Sequence, residues 1–326
     1  ISPIDLVVVN LYPFQETIED PKVSWEKAIE NIDIGGPGMI RAAAKNHKDV
    51  AVLVKSTQYN SFIEELGKGV ISNAFKTKLA FEAFEHTASY DTAISNWISK
   101  EKDLTPKSFF ESYPLIRELR YGENPHQKAL WYGLNNVGWN AANQLQGKEL
   151  SYNNLLDLES ALATVLEFGY ENEEKSGALS TSIILKHNNP CGAATANSTS
   201  EAFKKALECD SLSAFGGIVA FNKNIDLDTA KALSEIFLEC VVAPSFDKKA
   251  LEILRNKKNL RLIELKAQAI SAKDESTCKS IMGGILFQAN DNQEVNTNDW
   301  ELVTDKSALE NELVDLNFAW KICKHV

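Results

Sequence analysis

Short apolar runs alternate with stretches of helical periodicity along almost the whole chain, and this alternation constrains the fold more than any other feature. The runs are Ile4 to Val9, DVAVLV at 49–54, SIILK at 182–186, GIVAF at 217–221 and VVAP at 241–244. Between them lie helical stretches such as WEKAIENIDIGGPG leading into MIRAAAKNHK. Leu79, Ala83, Thr87, Tyr90, Ile94 and Trp97 share one face of a later helix. Strands that read as continuous apolar runs, separated by amphipathic helices, imply an α/β fold with a parallel sheet covered on both faces. Ile4 to Val9 is read as a buried strand, and MGGILFQ at 282–288 as a further apolar strand. The polar stretch from Glu101 to Pro114, with Pro106 and Pro114, breaks the pattern and divides the chain at about residue 105. Lys248 to Lys266 reads as a solvated helix face with a short strand.

Both ends read as cut: Ile4 to Val9 looks like a central strand, and Leu309, Leu313, Leu316, Trp320 and Cys323 keep helical spacing up to the last residues. The expectation is an internal segment of a longer protein. The chain carries 34 Lys and Arg against 45 Asp and Glu, a formal charge of −11. That balance argues against nucleic acid but leaves small anions open as ligands. No apolar run is long enough to span a bilayer, and no signal peptide opens the sequence. Five dispersed cysteines without a CxxC pair read as reduced thiols of a cytoplasmic protein.

Several constellations carry possible chemistry. Gly35, Gly36 and Gly38 precede an alanine-rich helix whose first N–H groups can face an anion; a tight turn needing positive φ explains the same glycines. Asp33, Arg41 and Lys45 flank them. VVVNLYPF puts Asn10 and Tyr12 at the carboxyl end of a strand, where open α/β sheets hold their ligands, although an aromatic folded back on the core is an equal reading. LRYGENPHQ crowds Arg120, Tyr121, Glu123, Asn124 and His126 around one turn. In SYNNLLDLESA, Tyr152, Asn153 and Asn154 stand at a helix entry where structural capping also fits.

SIILKHNNPCG is the sharpest of these. A buried strand delivers Lys186 and His187 into a loop that Pro190 prevents from continuing the ladder. A neighbouring cation disfavours imidazolium, leaving a neutral imidazole able to accept a proton. A lysine and a histidine on the surface at a strand end are the plain alternative. Zinc is rejected: a deaminase site needs HxE and PCxxC, whereas Asn189 replaces the glutamate and no second cysteine follows Cys191. SAFGGIVAFN places Phe215, Gly216 and Gly217 at a strand start, suited to close approach of a flat ligand or to a β-bulge.

NLYPF, ENIDIGG with RAAAKNHKDV, FEHTASYD, LRYGENPHQ, SYNNLLD, KHNNPCG and SAFGGIVAFN occur in this order between residues 7 and 222. Together they closely resemble the bifunctional purine biosynthesis family that combines AICAR transformylase with IMP cyclohydrolase. The resemblance implies a methylglyoxal-synthase-like parallel sheet domain, partial, over 1–105. A cytidine-deaminase-like transformylase domain, also partial and without zinc, follows over 106–326. It implies formyl transfer from 10-formyltetrahydrofolate to AICAR ribonucleotide, then closure of FAICAR to IMP, with no metal or redox cofactor, in a cytoplasmic homodimer.

Position by position, the resemblance makes Lys186 and His187 the catalytic pair: His187 takes the amine proton, and Lys186 favours the neutral imidazole and steadies the oxyanion. Arg120 and Tyr121 match substrate-binding positions, with Arg120 suited to a phosphate. Asn154, Phe215 and Gly216 match the nucleotide pocket, and Glu239 stands where some members have Asp. Tyr12, Asp33 and Lys45 match cyclohydrolase positions: Lys45 and Tyr12 hold the oxyanion, Asp33 orients the carboxamide, and Asn10, Gly35 and Gly36 line the substrate. The family's phosphate loop before Ile1 and its further motifs after Val326 lie outside the sequence, so this segment alone is expected to turn over little. A fragment that only binds nucleotide or dimerises, and an unrelated metal-free acyl transferase, are the other readings.

Overall fold

The computed structural model describes residues 3–171, 179–270, 276–293 and 297–326, and Ile1 lies outside them. The chain forms two compact units, Ile1–Tyr113 and Pro114–Val326. Among the described residues no helix is long and apolar enough to cross a membrane.

In the first unit, β1 (Leu6–Val8) pairs in parallel with β2 (Ala51–Leu53). The connection holds α1 (Phe14–Ile18), α2 (Trp25–Glu30) and α3 (Gly35–Lys45), and α4 (Tyr59–Leu66) and α5 (Asn73–Glu101) follow. The expected face of α5 is the packed one: Leu79, Ala83, Thr87 and Tyr90 are buried, and Ile94 and Trp97 rest on a neighbouring cluster. Ser72 caps this helix by accepting from the Phe75 N–H. β1 corrects the expectation of a buried strand, since Leu6 and Val8 are exposed. Only its other face, through Val7 and Val9, packs on the core formed by α3, β2 and α5.

The glycines of α3 differ from expectation too. Gly35, Gly36 and Gly38 lie inside the first helical turns, and none has a positive φ. Gly36 is needed for close packing: a Cβ there would stand 2.5 Å from Asp33 Oδ2 and 2.7 Å from Leu11 Cδ2. The aromatic that folds onto the core after β1 is Phe14, fully buried and edge-on to Tyr90 and Trp97, whereas Tyr12 is 56% exposed.

The second unit begins with a hairpin of β3 (Leu115–Leu119) and β4 (Ala129–Tyr132), followed by β5 (Asn143–Gln146) and α6 (Tyr152–Leu166). Next come β6 (Ser180–Lys186), β7 (Asn189–Ala196), α7 (Thr199–Cys209), β8 (Gly217–Phe221), α8 (Leu227–Ser234), β9 (Leu238–Ala243), α9 (Lys248–Leu254) and β10 (Arg261–Glu264). The six strands order as β5-β10-β9-β8-β6-β7. The sheet is mixed: β8, β9 and β10 are parallel, while β5, β6 and β7 run antiparallel to their neighbours.

Alternate residues face opposite layers, as the two-residue period of a strand requires. Ile184, Val219, Phe221, Val241 and Leu262 join one core with α7, α8 and α9. Ile183, Leu185, Ile218, Val242 and Ile263 join the other with α6. Both faces are therefore apolar, which is why these strands read as unbroken hydrophobic runs. Within 248–266 the expected short strand is β10, and α9 has a buried face beside its solvated one, with Ala250 and Leu254 fully buried.

Two further readings are corrected here. Pro190 does not end the ladder, because β7 is an edge strand and Pro190 sits beside a bulge between Ile184 and Leu185. MGGILFQ belongs to an exposed antiparallel hairpin of β11 (Ser276–Ile281) and β12 (Gly284–Ala289), not to a buried strand. The last helix, α10 (Glu310–Cys323), follows the expected spacing, but Leu313, Leu316 and Trp320 are exposed.

Candidate active site

At one end of the sheet in the second unit, a cleft of about 570 Å³ is lined by Arg120, Tyr121, Asn153, Asn154, Asp157, Lys186, His187, Gly216, Glu239 and Arg261, among others. That volume suits a small organic ligand. β6 arrives with its carboxyl end, whereas β8, β9 and β10 contribute their amino ends, because β6 runs against β8. The cleft therefore lies at the opposite end of the parallel strands from the one open α/β sheets ordinarily use.

Lys186 is the last residue of β6, and its Nζ donates to the carbonyls of Phe215 at 2.9 Å and Gly216 at 3.1 Å. Gly216 has φ +69°, and a Cβ there would stand 3.1 Å from that ammonium. Glycine thus meets two demands at once, the left-handed backbone and the approach of a cation. The shift of register between Gly217 and Ile218 supplies the bulge. No hydrogen bond joins the ammonium to the His187 imidazole among the described residues.

His187 and Asn188 form the two-residue turn between β6 and β7, with φ +51° and +62°. A hairpin turn with both central residues left-handed ordinarily takes Asn-Gly, and a left-handed non-glycine residue costs about 1–2 kcal/mol. Asp157 offsets that cost from α6: its Oδ1 accepts the Asn188 backbone N–H at 2.8 Å. With the Asn188 amide nitrogen toward it, the same oxygen accepts a second bond at 2.9 Å. The imidazole itself is exposed and has no hydrogen-bond partner among the described residues.

Ser151 and Asn154 cap α6 reciprocally: Ser151 Oγ accepts from the Asn154 N–H at 3.2 Å, and Asn154 Oδ1 accepts from the Ser151 N–H at 3.1 Å. Arg120 lies with its guanidinium 5.5 Å from the Tyr121 ring centre and has no carboxylate partner among the described residues. Glu239 is held by Arg261, Nη1 to Oε2 at 2.9 Å, while Arg261 Nε also reaches the carbonyls of Lys148 and Glu149. Phe215 is 61% exposed and tilted against Phe237, with ring centres 5.3 Å apart.

In the first unit the structure joins some of the predicted residues and separates another. Asp33 accepts from the Gly36 N–H at 2.7 Å and the Tyr12 N–H at 3.4 Å, and its own N–H donates to Tyr90 Oη at 2.8 Å. It thereby ties the exit of β1, which carries Asn10, to the start of α3 at Gly35 and Gly36. Lys45 stands at the far end of α3, about 15 Å along the axis from Gly35 at 1.5 Å per residue. Arg41 lies 5.7 Å from the centre of the Phe84 ring.

The sequence profile of the AICARFT/IMPCHase bienzyme matches residues 43–326. The chain belongs to this family. A bifunctional purine biosynthesis protein PurH of Prochlorococcus marinus strain MIT 9515 is 68% identical over 324 residues, covering 99% of this chain and 62% of the relative. Its namesake in strain MIT 9301 is 65% identical with the same coverage. The chain therefore spans about three fifths of the length of these curated relatives. Among solved structures, Acinetobacter baumannii RibD covers 33% of the chain at 15% identity and a TM-score of 0.24.

Asp157 and Arg261 line the cleft as well, and neither stands out in the sequence as a site residue. Asp157 is inside the SYNNLLD motif, but its partner is 31 residues away and only the fold reveals it. Arg261 opens the short strand expected within 248–266; the apolar Leu260 and Leu262 on either side of it are the available signal.

Proposed function

We propose that the cleft of the second unit binds AICAR ribonucleotide and 10-formyltetrahydrofolate and transfers the formyl group to the 5-amino nitrogen of the nucleotide. One observation carries this reading: Arg120, Tyr121, Asn154, Lys186, His187, Gly216 and Glu239, drawn from five separate stretches of sequence, line a single cleft. His187 accepts the proton as the amine attacks the formyl carbon. The bond from that carbon to N10 of the folate then breaks, and N10 takes a proton. Lys186, positioned by two carbonyls, faces the developing oxyanion. Arg120 receives the phosphate with a planar fork that no described carboxylate occupies.

Closure of FAICAR to IMP, in which the carboxamide nitrogen attacks the formyl carbon and water leaves, is assigned to the first unit. Tyr12 and Asp33 form its candidate edge, and Lys45 enters by its sequence match alone. The finer fold assignments follow the same reading: a methylglyoxal-synthase-like unit and then a cytidine-deaminase-like one. Their support is the parallel β1–β2 pair and the helix-covered six-stranded sheet. A cytoplasmic homodimer without metal or redox cofactor completes it.

The test is formyl transfer by the native gene product that contains these residues, compared with His187→Leu. A loss of about 10²-fold or more in kcat is expected for removal of a general base. Undiminished transfer by the leucine variant would refute the assignment.

A further inference from the structure

We propose that Asp157 is a positioning residue for His187: from α6 it clasps the two-residue turn and fixes the imidazole against the residues that hold the nucleotide. The inference deepens the formyl-transfer reading and rests on it.

The turn needs an external hold. Both its residues are left-handed and neither is glycine, a combination that persists only where surrounding structure over-determines it. It closes the edge hairpin of the sheet, since among the described residues β7 pairs with β6 alone. The imidazole has no partner of its own among the described residues, so the backbone sets where the ring stands.

The turn is held at three points, two on its backbone and one on the Asn188 side chain. Asp157 Oδ1 receives the Asn188 backbone N–H at 2.8 Å. With its amide nitrogen turned toward α6, the Asn188 side chain donates to the same oxygen at 2.9 Å and to the Leu156 carbonyl at 3.3 Å. Asn189 Nδ2 donates to the His187 carbonyl at 3.2 Å. Two of the three points come from α6. Asp157 stands three and four residues after Asn154 and Asn153, hence on the same side of that helix, and all three line the cleft. One rigid helix therefore touches both the nucleotide edge and the turn, and Asp157 sets the distance between them.

The experiment compares the native gene product with Asp157→Ala and with Asp157→Ala/Asn188→Gly, by formyl-transfer kinetics and amide hydrogen exchange. Asp157→Ala should lower kcat about 10- to 100-fold, as loss of reactant alignment does. KM for the nucleotide should change less than about threefold. The Asn188 amide should exchange faster while those of β8 and β9 stay protected. Adding glycine at 188, which takes positive φ without a clasp, should restore most of kcat.

A kcat for Asp157→Ala within about twofold of wild type would overturn the proposal. So would a double variant as slow as Asp157→Ala, because a requirement for the charge itself is not met by a relaxed turn. Should Asp157→Ala loosen β8 and β9 as well, the double variant decides in the same way. If the wild type transfers no formyl group, the formyl-transfer reading fails by itself. Exchange at Asn188 then judges the clasp, and unchanged protection in Asp157→Ala overturns it.

Discussion

The three glycines of α3 should respond to alanine with opposite signs. Alanine within a helix is favoured over glycine by about 1 kcal/mol. At Gly35 and Gly38 an added Cβ meets nothing within 4 Å, so a gain of up to about 1 kcal/mol should be realised there. At Gly36 the Cβ would meet the Asp33 carboxylate at 2.5 Å and Leu11 at 2.7 Å. That carboxylate cannot swing away freely, because it receives the Gly36 and Tyr12 N–H groups. Losing a hydrogen bond to a charged acceptor costs about 1.5–3 kcal/mol, and shifting Leu11 adds about 1 kcal/mol or more. After subtracting the propensity gain, Gly36→Ala should destabilise the first unit by about 2 kcal/mol. Hydrogen exchange of the α3 amides at increasing urea, followed by mass spectrometry, reports that unit without interference from the second. A Gly36→Ala chain as stable as Gly38→Ala would show that Asp33 is not held as described.

Two further outcomes concern the second unit. Burial opposes ionisation of Glu167, but hydrogen bonds from Lys324 and His325, at 3.0 and 3.1 Å, outweigh it and hold the carboxyl below its ordinary value of 4.5. A depressed carboxylate stabilises the folded form above that ordinary value and ceases to do so as pH falls through the folded one. Hydrogen exchange corrected for intrinsic rate should therefore show α10 loosening below pH 4.5, and the same loosening in Glu167→Gln would contradict the assignment. Burial also pushes the Cys240 thiol up to about 12. Iodoacetamide at pH near 8 should label the exposed Cys209 and Cys323 and reach Cys240 only after unfolding, as read by peptide mass spectrometry.

The sheet of the second unit was legible because both of its faces are buried, so β6, β8 and β9 carry uninterrupted apolar sequence. β5 was not, since it is four residues long, polar and half-exposed, whereas a short strand within 248–266 could be read and is β10. Lys186 and His187 could be read as neighbours at a strand end. What could not be read was direction: β6 runs against β8, and that reversal gathers Gly216, Glu239 and Arg261 from the amino ends of three strands. Pro190 misled because a proline signals a broken ladder unless the strand is at an edge, and edge position is a property of the whole sheet. In the first unit the helical spacing of α5 was sufficient, whereas the glycines of α3 answer to the side chains of Asp33 and Leu11, which no local pattern displays.

Among the described residues β5 finds its strand partner only in β10, with Gln146 opposite Leu262. The Gln146 amide is received by the carbonyls of Leu254, Lys257 and Leu260. During synthesis, then, β5 and the Lys148–Glu149 segment that Arg261 holds emerge long before the strand that anchors them exists. Such a distant pairing forms slowly, and a nascent polypeptide halted before residue 261 would expose an open sheet margin at β9, a natural target for holdase chaperones and the stage at which misassembly is most easily provoked.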